Sequence, residues 1–273
     1  MAITASQVNE LRKKTGAGMM DCKKALVEAD GDMDVAVDNL RKKGQKVAAK
    51  RGENEAKEGV VFAHAENGMG FMIQLNCETD FVAKNDDFRS FVKSLLDVGV
   101  KSNASSVDEL KSQPYNEKLS VEEKITEQIG VIGEKLDLSN FAKLEGEKVI
   151  AYNHPGNQLA TLVALNKSGE LDEAGRQVAM QVAAMNPIAL HKDEVDKETI
   201  DHELEVGKDQ AIQEGKPAEM AEKIAQGRLN KFFKENTLLS QPFVRDNKLT
   251  VEQFLNSTDS GLTVSAFKRF SLS

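Results

Sequence analysis

Three patterns in this 273-residue sequence predict an α+β fold. Short amphipathic segments separated by glycine breaks predict a three-helix domain, with a linker, in residues 1–54. A strand-then-helix pattern occurs twice, about 90 residues apart, and predicts a core of two similar α+β subdomains at 55–145 and 146–273. A further pair of helical patterns predicts an antiparallel helical hairpin, inserted near the C-terminal end at about 195–235 and projecting from the core.

Recognisable start and stop residues bound the first three helices. Thr4 and Gln7 have capping-box spacing, so we expect helix one to begin at Thr4. Gly16 then breaks this helix, and we expect helix three to end at Gly44. Charged and small residues dominate from 45 to 58, which predicts a solvated helical linker. The apolar positions expected inside this domain are Val8, Leu11, Cys22, Ala25, Leu26, Ala29, Met33, Ala36, Val37 and Leu40.

An internal repeat identifies the two halves of the core. GVVFAH matches VIAYNH, which aligns Phe62 with Tyr152 and His64 with His154, and GFMIQLN matches ATLVALN. The shared position of the two histidines favours a turn or strand-end role over catalysis. Each copy then continues into an amphipathic helix. The inner positions are Phe88, Phe91, Val92 and Leu95 in the first copy, and Val178, Val182 and Met185 in the second.

Two further helical patterns lie between Val195 and Val244. Gly215-Lys216-Pro217 is the expected turn between them. The apolar stripe predicted to join the two helices consists of Ile200, Leu204, Ala211, Met220, Ile224 and Leu229. After the hairpin we expect a short helix over Val251–Leu255 and an edge strand over Ala266–Phe270.

Composition restricts the classes of function. Hydrophobic residues make up 40% of the chain and charged residues 29%, which is typical of a soluble protein. Thirty-six basic against 44 acidic residues give a net charge of −8, which disfavours direct binding to nucleic acid. No apolar run is long enough to span a membrane, and the N-terminal residues do not resemble a targeting signal. With only Cys22 and Cys77, we expect a reducing, cytoplasmic location.

Sequence motifs for catalysis and for cofactors are missing. The four histidines are scattered, and no metal-ligand spacing, nucleophile elbow, phosphate loop or dinucleotide fingerprint occurs. We therefore expect neither enzyme activity nor a cofactor or metal. One alternative is a hydrolase or transferase that uses Cys77 with a histidine, although Glu78 and Asp80 should raise the pKa of that thiol. Another alternative is a protein-binding adaptor without catalytic function.

Two short segments are candidates for partner contact. In NCETDFVAK, a predicted strand runs into a helix, and Thr79 or Asp80 is expected to cap the helix. Either Phe81 is presented at the turn, or Phe81 or Val82 packs against the sheet, and these interpretations stay open on spacing alone. The TDFV segment has no counterpart in the second repeat, which argues against a role demanded by the fold. Elsewhere, the adjacent pair MM at 19–20 cannot both face one core, so one side chain should be exposed for a partner.

Long motifs give the chain a close resemblance to bacterial elongation factor Ts. They are LRKKTGAGMMDCKKAL (Leu11–Leu26), NCETDFVAK (Asn76–Lys84) and GRLNKF with LLSQPFV (Gly227–Val244), and the resemblance covers nearly the whole chain. It implies a ubiquitin-associated-like (UBA-like) N-terminal domain and a two-part core. It also implies a guanine-nucleotide exchange factor for elongation factor Tu, which displaces Mg²⁺ and promotes GDP release so that GTP can bind.

The resemblance also assigns roles to residues. It implies that Thr79, Asp80, Phe81 and Val82 form the segment that dislocates Mg²⁺ on the partner, with the Asp-Phe pair wedged between helices of its nucleotide-binding domain. Further partner-binding positions, in the N-terminal domain and in the second subdomain, are Arg12, Met19, Met20 and His154. The partner would be elongation factor Tu, with no nucleic acid or membrane bound directly. A homodimer or a 2:2 complex stays open.

Three features depart from the family pattern. Gln74 stands where a glutamate is usual, and we expect this change to lie on the strand surface. The segment HPGNQLATLV lacks the arginine and the Gly-Val usual after the matching His154. The sequence also ends just after the AFKRF strand, which implies that a contact made by a further helix in some family members is missing.

Overall fold

The computed structural model describes residues 3–272 and has the mixed helix and sheet architecture of an α+β fold. Met1, Ala2 and Ser273, at the outer ends of the predicted domains, lie outside the described residues. None of the helices in the described part is both long and apolar enough to cross a membrane. The domain boundaries at residues 54 and 145 stay a prediction.

Three helices form the N-terminal domain, as the sequence predicts. They are α1 (Ala5–Thr15), α2 (Met19–Glu28) and α3 (Met33–Arg51). Thr4 caps α1 in a capping box with Gln7, and Gly16 ends this helix in the left-handed conformation at φ 74°. Asp32 caps α3 by accepting hydrogen bonds from two backbone amides. The expected apolar positions form a common core, with Met33, Val37 and Leu40 at its partly buried edge.

The prediction that helix three ends at Gly44 is wrong. The helix continues to Arg51, through much of the segment read as a linker, and Val47 and Ala48 pack against the core. Gly44 is buried where α3 crosses the helix Val121–Ile132 at Gly130. A Cβ built on Gly130 would lie 2.5 Å from the Cα of Gly44, so the glycines permit a close crossing.

The first half of the core is a three-stranded antiparallel sheet covered by helices on one face. Its elements are β1 (Glu58–Glu66), β2 (Met69–Cys77), α4 (Asp80–Lys84), α5 (Asp86–Ser102), α6 (Val107–Ser112), α7 (Val121–Ile132) and β3 (Asp137–Glu145). The strand order is β1-β2-β3. Phe88, Phe91, Val92 and Leu95 of α5 are buried against the sheet, as predicted. Sequence analysis did not identify α6, α7 or β3.

The second half of the core begins with the expected hairpin and helix. Its first elements are β4 (Lys148–Asn153), β5 (Leu159–Leu165) and α8 (Asp172–Met185). Val178 and Val182 are fully buried as predicted, but Met185 is exposed because α8 ends there and Asn186 turns the chain in the left-handed conformation. The pairing register also differs between the two copies. Phe62 pairs with Ile73, whereas its counterpart Tyr152 pairs with Thr161, two residues from the aligned position.

The predicted helical hairpin is present as α9 (Lys197–Gln213) and α10 (Ala218–Asn236), joined through Gly215-Lys216-Pro217. Its seam was only partly predicted. Ala211 and Leu229 are buried, but Met220 is 54% exposed, and Ile200, Leu204 and Ile224 are only half-buried. Small residues fill the seam, because Gly207 lies directly against Ala225 and leaves no room for larger side chains between the helices.

The chain then returns to the second half of the core. The remaining elements are β6 (Pro242–Phe243), β7 (Asp246–Thr250), α11 (Val251–Thr258) and β8 (Val264–Ser271), and two short 3-10 helices occupy Lys192–Glu194 and Leu238–Ser240. The strand order β4-β5-β8 makes β8 the predicted edge strand, and α11 starts at the expected residue. The two three-stranded sheets pack face to face through a shared apolar layer. This layer contains Val61, Ala63, Met72, Leu144, Val149, Ala160, Leu162 and Ala164.

Candidate functional site

The segment Glu78–Val82, which contains the link between β2 and α4 and the first residues of α4, is here named the Phe81 turn. Thr79 is the N-cap of α4, and its Oγ1 accepts a hydrogen bond from the Val82 amide at 3.4 Å. Phe81 follows in the first helical turn with 83% of its surface exposed. Val82 is half-buried against the core, and Ala83 is buried. Of the two readings left open by the sequence, the structure therefore presents Phe81 to solvent and packs Val82.

Asp80 lies beside Phe81 and does not cap the helix. Its carboxylate forms an exposed ion pair with Lys84, one turn later, at an O–N distance of 2.6 Å. The hydrogen bond from Lys84 lowers the pKa of Asp80, so this carboxylate is charged at neutral pH. The turn thus presents an aromatic ring next to a negative charge.

Glu134, in the link between α7 and β3, holds the start of the Phe81 turn. Its Oε2 accepts hydrogen bonds from the backbone amides of Glu78 and Thr79, both at 3.1 Å. Its Oε1 accepts a hydrogen bond from the Thr79 hydroxyl at 2.6 Å. One side chain therefore fixes two consecutive amides and the capping residue. Glu134 was not predicted from the sequence, because a glutamate after the helix-ending Gly133 carries no local signal of a partner 55 residues away.

Glu78 extends this network, because its own carboxylate accepts hydrogen bonds from the link that carries Glu134 and from the end of α3. Its carboxylate accepts hydrogen bonds from the Lys135 amide at 2.6 Å, from Arg51 Nη1 at 2.8 and 3.0 Å, and from Asn54 Nδ2 at 3.1 Å. The Lys135 amide is the main cause that lowers the pKa of Glu78, followed by hydrogen bonds from Arg51 and Asn54. Because Arg51 is the last residue of α3, the network joins the N-terminal helices to the Phe81 turn.

The predicted contact residues of the N-terminal helices are all exposed. Met19 and Met20 begin α2 and are 55% and 73% exposed, so both side chains are available instead of the one expected. Arg12 is exposed on α1. Gly16, in the loop before α2, and Val82 line a common cavity of about 440 Å³. The loop that leads to the methionines therefore borders the same cleft as the Phe81 turn.

His154 lies in the other half of the core. It follows the last residue of β4, is exposed, and its Nδ1 is 3.0 Å from the Tyr152 hydroxyl. This position agrees with the strand-end role expected from the repeat. The structure therefore brings the loop before Met19 and Met20 close to the Phe81 turn, whereas His154 lies on the second sheet.

Cys77 is unsuited to nucleophilic chemistry. Its side chain is fully buried, and burial, followed by the charges of Glu134 and Glu58, raises the pKa of the thiol to about 12. The predicted direction is correct, but the predicted cause is not, because the acting carboxylates are neighbours in space and not Glu78 and Asp80. Within residues 3–272, no group of three or more His, Cys, Asp or Glu side chains could hold a metal ion.

Gln74 is not a strand-surface residue, contrary to expectation. It is buried, and its Nε2 donates to Asn76 Oδ1 at 3.1 Å while its Oε1 accepts from Asn140 Nδ2 at 3.1 Å. Ser139 also donates to Asn76 Oδ1. An uncharged amide suits this position because it both donates and accepts, whereas an ionised carboxylate only accepts.

Comparison with known proteins gives a consistent result. A sequence model of the family described as "Elongation factor TS" matches residues 78–273. The elongation factor Ts of Christiangramia forsetii is 51% identical, covering 99% of this chain and 98% of that protein. That of Amoebophilus asiaticus is 52% identical, with 98% of each chain covered. That of Porphyromonas gingivalis is 45% identical, covering 100% of this chain and 99% of that protein.

Proposed function

This chain belongs to the elongation factor Ts family of translation elongation factors, and we propose that it is a guanine-nucleotide exchange factor for elongation factor Tu. The observation that carries the proposal is the exposure of Phe81 on a turn whose backbone is fixed from both sides. A partner that covers this ring removes apolar surface from water, which favours binding.

The physical task of an exchange factor is to release a tightly held nucleotide without covalent chemistry. In GTPases, Mg²⁺ bridges the phosphates to the protein, and backbone amides of the phosphate loop bind the anion. A small displacement of either group weakens nucleotide binding sharply. In our proposal, Asp80 and Phe81 enter the nucleotide-binding domain of elongation factor Tu and stabilise such a displaced geometry, in which Mg²⁺ has left its site.

Energetically, the Phe81 ring suits this role. Full burial of a phenylalanine side chain contributes about 1.5–3 kcal/mol, and the ring has few rotatable bonds to immobilise. The Glu134 hydrogen bonds already fix the backbone before Phe81, so little further ordering is required on binding. Most of the burial energy is then available to hold the partner in the displaced geometry.

Linkage makes the process reversible. If the exchange factor lowers the affinity of its partner for nucleotide, nucleotide lowers the affinity for the exchange factor by the same ratio. Binding of GTP therefore ejects the exchange factor and completes the cycle. No reaction chemistry is required of the chain, in agreement with the burial and the raised thiol pKa of Cys77.

A second surface supplies affinity in this proposal. Met19 and Met20 are unbranched, adaptable side chains exposed at the start of α2, and Arg12 adds a positive charge on α1. These residues bind the partner in both the ground and displaced states, so they contribute binding more than rate. His154 is proposed as a further contact from the second sheet. We give it a secondary role because the segment that follows it departs from the family pattern.

The proposal places the protein in the cytoplasm, bound to a protein partner and not to nucleic acid or membrane. The acidic net charge of −8 agrees with a protein partner. A homodimer or 2:2 complex stays a prediction, which light scattering of the free protein and of the complex would test.

Release of a fluorescent GDP analogue from elongation factor Tu tests the exchange function. We expect substoichiometric amounts of the protein to accelerate release, and we expect no GTP hydrolysis by the protein alone. An adaptor that uses the same surfaces would bind the partner and leave the release rate unchanged. An unchanged rate at saturating protein would therefore reject the exchange function.

A further inference from the structure

We propose that Glu134 is a positioning residue for nucleotide exchange, which acts by fixing the direction in which the Phe81 turn presents its ring. This inference rests on the proposed exchange function. Glu134 is 53 residues from Phe81 in sequence and lies in the link between α7 and β3. It acts on the ring through the backbone that precedes it.

All three hydrogen bonds that Glu134 accepts come from the two residues just before α4. Both amides that Glu134 binds, those of Glu78 and Thr79, lie immediately before the helix that carries Phe81. The third bond, from the Thr79 hydroxyl, leaves the Thr79 oxygen free to accept from the Val82 amide. Glu134 therefore determines both where the helix begins and how its N-cap residue is oriented.

Local structure alone is too weak to fix this geometry. α4 has five residues, little more than one turn, and an isolated helix of that length is not stable. Its inward anchors are the buried Ala83 and the half-buried Val82, and both follow Phe81. Without Glu134, the chain before Phe81 loses three of the bonds that define its path, and the exposed ring has few contacts of its own to hold it.

The carboxylates of Glu134 and Glu78 each bind the backbone of the other residue's segment. Glu134 accepts from the amide of Glu78, while Glu78 accepts from the amide of Lys135, the residue after Glu134. The two links are thus tied to each other by side chain to backbone bonds in both directions. Hydrogen bonds from backbone amides to charged carboxylates are stronger than those between neutral groups, so this pairing resists rotation of either link.

The chemistry predicts how different substitutions should behave. In Glu134→Gln, the amide oxygen can occupy the position of Oε2 and accept from both backbone amides, and the amide nitrogen can donate to the Thr79 hydroxyl. In Glu134→Asp, the charge is kept, but the side chain is one methylene shorter and falls short of the amides. A positioning role therefore requires the glutamine variant to retain activity and the aspartate variant to lose it. A purely electrostatic role requires the aspartate variant to retain activity and the glutamine variant to lose it.

Exchange kinetics provide the first readout, with the full chain and elongation factor Tu loaded with fluorescent GDP. For Glu134→Asp we expect the maximal release rate to fall at least about fivefold, with the half-saturating concentration changed less than twofold because the Met19 and Met20 surface is intact. Glu134→Gln should stay within about threefold of the wild type. Glu109→Asp is the matched control, since Glu109 also accepts from a backbone amide and a hydroxyl, both of Ser105, away from the Phe81 turn.

Fluorescence of the free protein provides a second readout, which does not depend on the global stability of each variant. The sequence contains no tryptophan, so Phe81→Trp introduces a single reporter at the turn. At a temperature well below unfolding, anisotropy decay should show a larger amplitude of fast local motion when Phe81→Trp is combined with Glu134→Asp than when it is combined with Glu134→Gln or Glu109→Asp.

The possible outcomes are distinguishable. If the wild type does not accelerate GDP release, the exchange function fails, and the anisotropy measurement still decides whether Glu134 orders the turn. If the wild type is active and Glu134→Asp has an unchanged maximal rate, or an equally ordered reporter, the positioning role is overturned. A glutamine variant as slow as the aspartate variant would also overturn it, because the loss of charge would then matter as much as the loss of reach.

Discussion

Truncation of Phe81 to alanine separates its two possible roles, as an exposed contact and as part of the core. The ring is 83% exposed, so it buries only about one sixth of the roughly 200 Å² that an aromatic side chain can bury. At about 25 cal/mol per Å², this area corresponds to less than about 1 kcal/mol of unfolding free energy. Phe71 provides the contrast, because it is fully buried on β2 and Phe71→Ala should cost about 3–5 kcal/mol.

The effect of Phe81→Ala on exchange should be much larger than its effect on stability. If the ring stabilises the displaced state of the partner, we expect the maximal rate of GDP release to fall at least about tenfold, which corresponds to about 1.4 kcal/mol in the barrier. Binding should persist through Met19 and Met20. Asp80→Ala should act in the same direction but more weakly, because Asp80 neither caps α4 nor contributes a large apolar surface.

The assay pairs thermal unfolding of the free variant with stopped-flow release of fluorescent GDP over a range of protein concentrations. Met220→Ala is the matched control, since Met220 is also an exposed apolar side chain but lies on the hairpin. It should leave both measurements unchanged. A Phe81→Ala protein that is destabilised by more than about 2 kcal/mol, and whose folded fraction exchanges at the wild-type rate, would refute the reasoning.

The glycine crossing, the methionine pair and the Glu78 carboxylate each give a further prediction. Gly130→Ala should lower the free energy of unfolding in urea by about 1–3 kcal/mol through overpacking, whereas Gly227→Ala, in open space within α10, should be neutral or stabilising; equal effects would contradict the close crossing. Met19→Ala combined with Met20→Ala should raise the concentration for half-maximal GDP release severalfold without changing the unfolding temperature, and an unchanged concentration would remove this surface from the proposal. Hydrogen bonds lower the pKa of Glu78 in the folded protein, so its contribution to stability is fully present above the unfolded pKa of about 4.5 and is lost as the pH falls through the lower folded value. Stability of the wild type and of Glu78→Gln should therefore converge on acidification below that pH, and a constant difference would argue against the linkage.

Local features of the fold could be predicted from the sequence because local residues determine them. Thr4 begins the first helix through a bond to a residue three positions away, and Gly16 ends it through its own backbone conformation. The turn at Gly215 and the start of α11 at Val251 follow from similar short-range signals. In each case the residues that form the structure are adjacent in the sequence.

Features that depend on distant partners were misread or missed. A glycine in a helical pattern is a stop signal by local rules, yet Gly44 lies within α3 because Gly130 crosses it there. Close contact between helices also explains why the hairpin seam differs from the prediction. Gly207 and Ala225 approach too closely for a seam of large side chains. A small residue that permits contact with another helix cannot be distinguished from a breaker without knowing where that helix lies.

For the candidate site, the sequence located the turn but could not decide its orientation. NCETDFVAK identifies a strand-to-helix junction, and Thr79 caps it as expected. Helical periodicity says nothing about Phe81, because the helix it begins is little longer than one turn. The side chain that fixes the junction, Glu134, enters from a link between elements of which neither was predicted. Its role could be inferred only from three-dimensional contacts.

The continuous helix α3 connects the two surfaces that our proposal assigns to the partner. At its start, α3 packs with α1 and α2, which carry Arg12 and the methionines, and at its end Arg51 binds the carboxylate of Glu78. Nineteen helical residues span roughly 28 Å, and the crossing at Gly44 fixes this rod against α7. A flexible linker would require the partner to order the two surfaces relative to each other. The rigid connection removes most of that entropic cost, so contact at the N-terminal helices would bring the Phe81 turn to the partner in a defined orientation.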